Sequence, residues 1–225
     1  MRISVIIPTL NEEKSIARTV AALRSLKIDE LLIVDGGSTD RTIEICNGLE
    51  ADVLSSTRGR SAQMNLGAKQ ATGDVLLFLH ADTRLPPAAL DDIRAAMDDR
   101  RCPGGRFDVK LDGDHWMLKV IGAMISLRSR VTKIATGDQA IFVRRDVFEA
   151  IGGYPEIPLM EDVAFSRALR RMGRVACLHS RVITSARRWE AEGVWRTILK
   201  MWTLKSLYLL GVSPFRLKRY YADGR

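Results

Sequence analysis

The chain has little cysteine and no apolar run long enough to cross a bilayer. Its three cysteines, Cys46, Cys102 and Cys177, lie far apart and form no CxxC pair. Neither a disulfide framework nor a zinc knuckle is indicated, and a reducing compartment fits. Ile3 to Ile7 is too short for the core of a secretion signal, and Pro8 interrupts it. In the most apolar C-terminal stretch, Arg196, Lys200 and Lys205 prevent a run of the ~18 uncharged residues that a membrane span needs. These absences predict a cytoplasmic chain, able to lie at the inner membrane face but not to traverse it. GxGxxG and GxxxxGK[ST] are missing too, so hydride transfer and P-loop hydrolysis lose support. No internal repeat, low-complexity tract or linker divides the chain.

What is present is a globular composition with uneven charge. Of the 225 residues 46% are apolar and 28% charged, which allows one sizeable core and argues against disorder. The formal net charge is +8, but residues 1–112 hold 15 Lys and Arg against 17 Asp and Glu, whereas residues 113–225 hold 20 against 10. The cationic second half points to an anionic partner: phosphate, lipid headgroup or nucleic acid.

The first half alternates strand and helix. Short β-branched or apolar runs at Ile3 to Ile7, Leu31 to Val34, Val53-Leu54 and Val75 to Leu79 read as strands. Between them lie helical spacings: Ile16, Val20, Leu23 and Leu26, with Asn11 as cap; Ile43, Cys46 and Leu49; and Ala62, Leu66 and Ala71, ended by Gly73. The second half predicts strands at Arg106 to Val109 and Ala140 to Arg144, with short ones near Val175 and Val182. Its helices are predicted at His115 to Arg128, from Glu161 onward, and from about Glu190 to Leu210. The fold class is therefore α/β, with a Rossmann-like, mostly parallel central sheet, helices on both faces and a C-terminal helical extension. One domain over 1–225 is expected, divided into 1–112, 113–190 and the extension 191–225.

Three strand ends carry polar residues toward one crevice. PTLNEE (Pro8 to Glu13) closes the first, VDGGSTD (Val34 to Asp40) the second and HAD (His80 to Asp82) the fourth. In open α/β sheets the crevice beyond the carboxyl ends of the strands holds the ligand. Asp82 there can hold a divalent metal that meets phosphates, or it can simply start the loop before Pro86-Pro87. Asp35 can accept hydrogen bonds from a nucleobase imide or a ribose hydroxyl, with Gly36 and Gly37 allowing close backbone approach. Alternatively, DGGSTD is a helix start capped by Ser38.

In this order, P-x-x-N-E, V-D-x-x-S-x-D and a strand closing on an acidic residue resemble the family 2 glycosyltransferases of GT-A fold, over roughly residues 3–190. That resemblance implies nucleotide contacts from Pro8, Thr9, Leu10, Glu12, Asp35 and Gly36, and from Ala81 beside the closing acid. It implies Asp82 as ligand to Mg²⁺ or Mn²⁺. His80 stands where the family's D-x-D has its first Asp, as a partner to a metal ligand, as a ligand itself or as a packed neutral imidazole. GRSAQMN (Gly59 to Asn65) resembles the helix before that strand, where Arg60 can meet a phosphate and Gln63 or Asn65 the base or sugar. Glu161-Asp162 in PLMEDVAF resembles the ED motif, which makes Asp162 the base and Glu161 its orienting partner; two acids stabilising a helix N-terminus are the plain alternative. SARRW (Ser185 to Trp189) resembles the QxxRW motif without its Gln, so Arg187 or Arg188 can clamp the diphosphate and processive synthesis is not expected. Gly137-Asp138-Gln139 can line the donor sugar or acceptor. His179 is a further candidate metal ligand.

The resemblance implies an inverting, metal-dependent glycosyltransferase that uses a nucleoside diphosphate sugar, a UDP-sugar by preference, and a small-molecule or lipid-linked acceptor. The compact length, HAD, GRSAQMN and SARRW also resemble a small bacterial subgroup associated with arsenosugar biosynthesis. Two alternatives come from other classes: a nucleotidyltransferase of similar sheet, and a non-catalytic basic protein of membrane surfaces. Nucleic acid is not an expected partner. The tail from Val194 to Tyr221 mixes aromatics with cations, as a peripheral membrane contact would, but core packing or a homodimer contact is the preferred reading.

Overall fold

The computed structural model describes residues 1–49 and 51–221; positions 222–225 of the expected C-terminal extension lie outside the described residues. β1 (Ile3–Thr9) is buried along its whole length because it runs parallel between β2 (Glu30–Asp35) and β4 (Val75–Phe78). β3 (Val53–Ser55) adds a parallel edge beyond β2. Ile3, Val5, Ile7, Ile33, Val75 and Leu77 face one core; Ile6, Leu32, Val34, Leu76 and Phe78 face the other. This two-residue alternation buries both faces, which is why the strands read as unbroken apolar runs.

Helices cover both faces. α1 (Ile16–Ser25), α2 (Thr42–Gly48) and α4 (Ala89–Met97) pack on the first, while α3 (Arg60–Gln70), α6 (Arg145–Ile151) and α7 (Glu161–Met172) pack on the second. The second half then completes the sheet out of chain order. β7 (Ile141–Arg144) runs antiparallel to both β4 and β6 (Gly104–Asp112); β8 (Ala176–Ser185) lies parallel to β6, and β5 (Thr83–Arg84) pairs antiparallel with β8. The order is β3-β2-β1-β4-β7-β6-β8-β5.

α5 (Trp116–Thr132) is tied to β6 through a buried ionic link. Arg106 donates to the Asp108 carboxylate, and Arg130 Nη2 donates to Asp108 Oδ2 at 2.8 Å. Beyond β8 come α8 (Arg187–Glu192), α9 (Val194–Leu209) and α10 (Pro214–Lys218). Leu204 and Leu217 from this extension pack against Met160 and Val163 at the start of α7.

Several local expectations change. The two short strands near Val175 and Val182 are one strand, β8, whose pairing with β6 shifts register between Arg106 and Asp108. That shift breaks the alternation by which a single strand is recognised. The single final helix is interrupted at Gly193, φ 79°, into α8 and α9. Asn11 does not cap α1, which begins at Ile16 after Ser15. With φ at 54°, Asn11 instead accepts the Thr39 amide at 2.9 Å and so joins two crevice loops.

Gly67 lets α3 approach the sheet, because a Cβ there would lie 2.5 Å from Ile6 Cγ2 and 3.0 Å from Val34 Cγ2. Gly67→Ala is therefore expected to cost about 1–3 kcal/mol. The reading is a lower urea midpoint at unchanged m-value; an unchanged midpoint would show that the helix can withdraw freely.

Candidate active site

Parallel register brings the ends of β1, β2 and β4 out on the same side of the sheet. Asp35 ends β2 and is buried. Its Oδ2 accepts the amides of Gly37 and Ser38 at 2.8 Å each, and its Oδ1 accepts the Ser38 hydroxyl. Ser38 thus folds the loop back onto Asp35 and does not cap the next helix. The Gly36 amide donates to the Thr9 carbonyl at 3.0 Å, which holds the two loops together. Gln63 is also buried, and its Nε2 donates to the carbonyls of Thr9 at 2.6 Å and Val34 at 2.8 Å. It props the crevice wall, where the sequence suggested a hand on the base or sugar. Asn65 is likewise structural, exchanging two 2.9 Å bonds with the backbone of Tyr154.

Arg187 crosses the crevice from the far end of the chain. Its Nη2 donates to both Glu12 oxygens, at 2.7 and 2.9 Å, and to Asp82 Oδ2 at 3.0 Å. Glu12 is buried and also accepts the Ser15 hydroxyl at 2.6 Å; Asp82 is tied to β8 by the Ser185 amide at 3.2 Å. Arg188, the neighbour singled out for the diphosphate, turns instead to Tyr221, donating to its hydroxyl and lying 4.7 Å above its ring. Lys200 and Lys218 approach the same ring at 5.7 and 5.8 Å. The structure does not bring His179 to Asp82. It sits six strand residues before Ser185, about 20 Å away along β8, with Arg130 Nη1 3.2 Å from its Nε2.

The ED pair opens α7 on the opposite wall. Asp162 Oδ1 accepts the Val163 amide at 2.7 Å and its Oδ2 accepts the Gly137 amide at 2.8 Å. His80 packs on that glycine, since a Cβ at 137 would run into the imidazole. Glu161 is buried and meets Arg60 Nη1 at 3.4 Å. Burial pushes the Glu161 carboxyl above its usual range; Arg60 opposes this and Asp162 reinforces it. Burial likewise raises Asp138, whose Oδ1 has no hydrogen-bond partner. Pro8, Arg60, His80, Gly137, Tyr154, Glu161 and Asp162 line one pocket. Leu10 and Ala81 are buried in the adjoining loops, and the Ala81 carbonyl accepts the Thr19 hydroxyl at 2.7 Å.

The sequence model of glycosyl transferase family 2 matches residues 4–152. The chain belongs to that family. It is 38% identical over 98 residues to an undecaprenyl-phosphate 4-deoxy-4-formamido-L-arabinose transferase of Pectobacterium carotovorum, a match covering 38% of this chain and 30% of that protein. The chain thus covers less than a third of that relative's length. Among solved structures, Staphylococcus aureus TarS 1-349 aligns with a TM-score of 0.68 at 22% identity, covering 83% of this chain and 61% of that one. Glucosyl-3-phosphoglycerate synthase from Mycobacterium tuberculosis, in complex with Mg²⁺ and uridine diphosphate, aligns with a TM-score of 0.61 at 18% identity, covering 80% and 69%. At these identities the likeness is one of fold, the expected GT-A type.

In this family 2 chain the donor groups suit a hard cation better than a soft one. Among the described residues no three His, Cys, Asp or Glu side chains form a metal cage. A cation that shares substrate phosphate oxygens needs only one or two carboxylates, and Glu12 and Asp82 already converge on one cationic nitrogen. Sequence reasoning missed Tyr154, Tyr221 and Lys205. Tyr154, in the Gly-Gly-Tyr-Pro segment before α7, stacks on Phe165 at 4.2 Å and lines the pocket. Lys205 is lowered to about 8, first by burial and then by Arg128, with Asp162 and Asp138 opposing. No local motif signals either role.

The raised carboxyl of Glu161 sets a pH test. Below its unfolded value of 4.5 the residue is protonated folded and unfolded alike, so Glu161→Gln and the parent should melt together. As pH rises through the higher folded pKa, only the parent retains a buried charge. The variant is expected to gain a few degrees in melting temperature between acid and neutral pH. A lower melting point at neutral pH would show that the Arg60 pair outweighs the burial of Glu161.

Proposed function

We propose that this chain transfers a sugar, with inversion, from a nucleoside diphosphate sugar to a hydroxyl acceptor. The observation that carries the reading is the fixed carboxylate of Asp162, facing the same pocket as the β1 and β4 ends and held, among the described residues, by the amides of Gly137 and Val163. Each of its oxygens keeps a lone pair for a proton, and no cation is paired with it within 4.0 Å among the described residues. Asp162 takes the proton of the acceptor hydroxyl as that oxygen attacks the anomeric carbon. Glu161 and Arg60 neutralise each other beside it.

On the donor side, Pro8, Thr9, Leu10, Glu12, Asp35 and Gly36 form the nucleotide wall. Arg60, at the start of α3, and Arg187 supply positive charge for the diphosphate. Mg²⁺ or Mn²⁺ on Asp82 would neutralise the leaving diphosphate. A UDP-sugar is the donor in this reading, supported by neighbours solved with UDP and with UDP-GlcNAc. The acceptor is a small molecule, as the narrower arsenosugar resemblance suggests, or a lipid-linked group, as the name of the arabinose transferase suggests. A nucleotidyltransferase is disfavoured because the loop after β1, Leu10-Asn11-Glu12-Glu13, has no glycine to wrap a triphosphate.

UDP with Mn²⁺ or Mg²⁺ is expected to raise the melting temperature of the parent chain, and less so for Asp35→Ala and Asp82→Ala. Asp162→Asn should retain the UDP shift and lose transfer at least about 100-fold. Absence of any nucleotide shift at millimolar concentration would sink the reading; loss of both binding and transfer in Asp162→Asn would make Asp162 structural.

A further inference from the structure

Apolar exposure in this molecule is concentrated on two helices and the turn after them. Among the described residues, every exposed large hydrophobic side chain except Met1, Ile43 and Met172 lies on α5 or between Trp195 and Tyr220. On α5 the exposed residues Trp116, Val120, Met124, Leu127 and Val131 recur every three or four positions, and Leu127 and Val131 are 63% and 75% exposed. On α9 Trp195, Leu199 and Trp202 repeat the pattern, with Trp195 74% exposed. The opposite faces are already used. Leu118 and Ile121 of α5 and Val194 and Ile198 of α9 pack into one small cluster with Leu111 and Ala186. The outer stripes are therefore surplus to the fold, and an apolar stripe of this length on a soluble surface marks an interaction site.

The charges beside the stripes identify the occupant. Neither α5 nor α9 contains a single Asp or Glu, and Lys119 of α5 and Arg196 of α9 are exposed beside the stripes, whereas Arg130 and Lys200 are spent on Asp108 and Glu192. A symmetric second copy would set this face against itself, cation against cation, without the opposite charges that flank a helical dimer seam. An anionic bilayer complements both features, because tryptophans and aliphatics enter the interface while lysines and arginines meet the headgroups. No helix of the described residues is long and apolar enough to cross a membrane, which leaves a helix pair lying in its plane.

We infer that the outer faces of α5 and α9 form a docking surface for anionic lipid membranes. It uses α5, which the sequence did not suggest, together with the tail, where packing or dimerisation was preferred. Arg128 of α5 donates to Thr136 Oγ1 at 3.3 Å, next to the Gly137 whose amide holds Asp162, and Leu204 of α9 packs on Met160 and Val163 on either side of Asp162. A bilayer-borne acceptor would therefore reach the base from this side. That consequence rests on the transferase reading; docking itself does not.

The test is co-sedimentation of the full chain with phosphatidylcholine vesicles, with and without roughly one third phosphatidylglycerol, in the absence of nucleotide. Partition onto the anionic vesicles is expected to be at least about tenfold stronger and to weaken with salt. Leu127→Glu and Trp195→Glu should each reduce it severalfold, and Lys119→Gln with Arg196→Gln should reduce the preference for anionic lipid. All these variants should keep the parent's melting temperature and its UDP-induced shift, so failure of docking is separable from failure of nucleotide binding. Equal partition to both vesicle types, or variants that bind as the parent does, would overturn the inference. So would a failure to bind vesicles by a chain that sediments as a dimer and becomes monomeric with Leu127→Glu.

Discussion

One guanidinium closes the crevice. Arg187 stands between Glu12 and Asp82, two carboxylates whose oxygens converge within 3.0 Å of a single nitrogen. Two carboxylates brought so close would otherwise repel each other and push the strand ends apart. The bridge joins the loop after β1, the turn after β4 and the exit of β8, and so fastens the two halves of the sheet at their functional edge. Glu12 passes the constraint to the start of α1 through Ser15, and Asp82 passes it to β8 through the Ser185 amide. A cation at this point is a requirement of the fold before it is a requirement of chemistry. A divalent ion shared with donor phosphates would satisfy the same need and release Arg187 toward the diphosphate.

The opposite wall follows a different rule. Among the described residues Asp162 is held by amide hydrogen bonds alone, whereas the neighbouring Glu161 takes the arginine. A carboxylate proposed to accept a proton would lose basicity beside a fixed guanidinium, whereas backbone amides position it without a fixed countercharge. The paired acids therefore divide the work: Glu161 balances Arg60 inside the wall, and Asp162 faces the pocket. Gly137 matters to this division because it gives the amide to Asp162 while leaving room for His80 on its other side. His80 packs against the loop that holds Asp162.

The parts that sequence made legible are those governed by local periodicity. β1, β2 and β4 are short runs bounded by turn residues, and α7 begins at Glu161 as expected. The failures come from long-range pairing. The two residues of β5 become a strand only because β8 lies beside them, and β7 takes its place between β4 and β6 without any local mark of that insertion. Choosing between Arg187 and Arg188 depended on the phase of a six-residue helix, which no spacing argument supplies. Gln63 and Asn65 looked like ligand contacts because they are polar and near the crevice; the backbone groups they satisfy belong to other elements and are invisible in one dimension. His179 failed for a metrical reason, since the length of β8 carries it away from Asp82.

The basic excess of the second half, visible at once in composition, is distributed over three tasks. Arg130 is consumed inside the fold on Asp108, and Arg187 is consumed on the crevice carboxylates. Lys119 of α5 and Arg196 of α9 stay exposed and have no acidic neighbour on their own helices, whereas Lys200 is paired with Glu192. α9 is also seated on α7, where Leu204 packs with Met160 and Val163 immediately beside Asp162. A surface that presses on the outer face of α9 therefore acts on the residue pair that frames the base. Membrane docking and the geometry of Asp162 are linked through that packing alone, with no need for a separate signalling element.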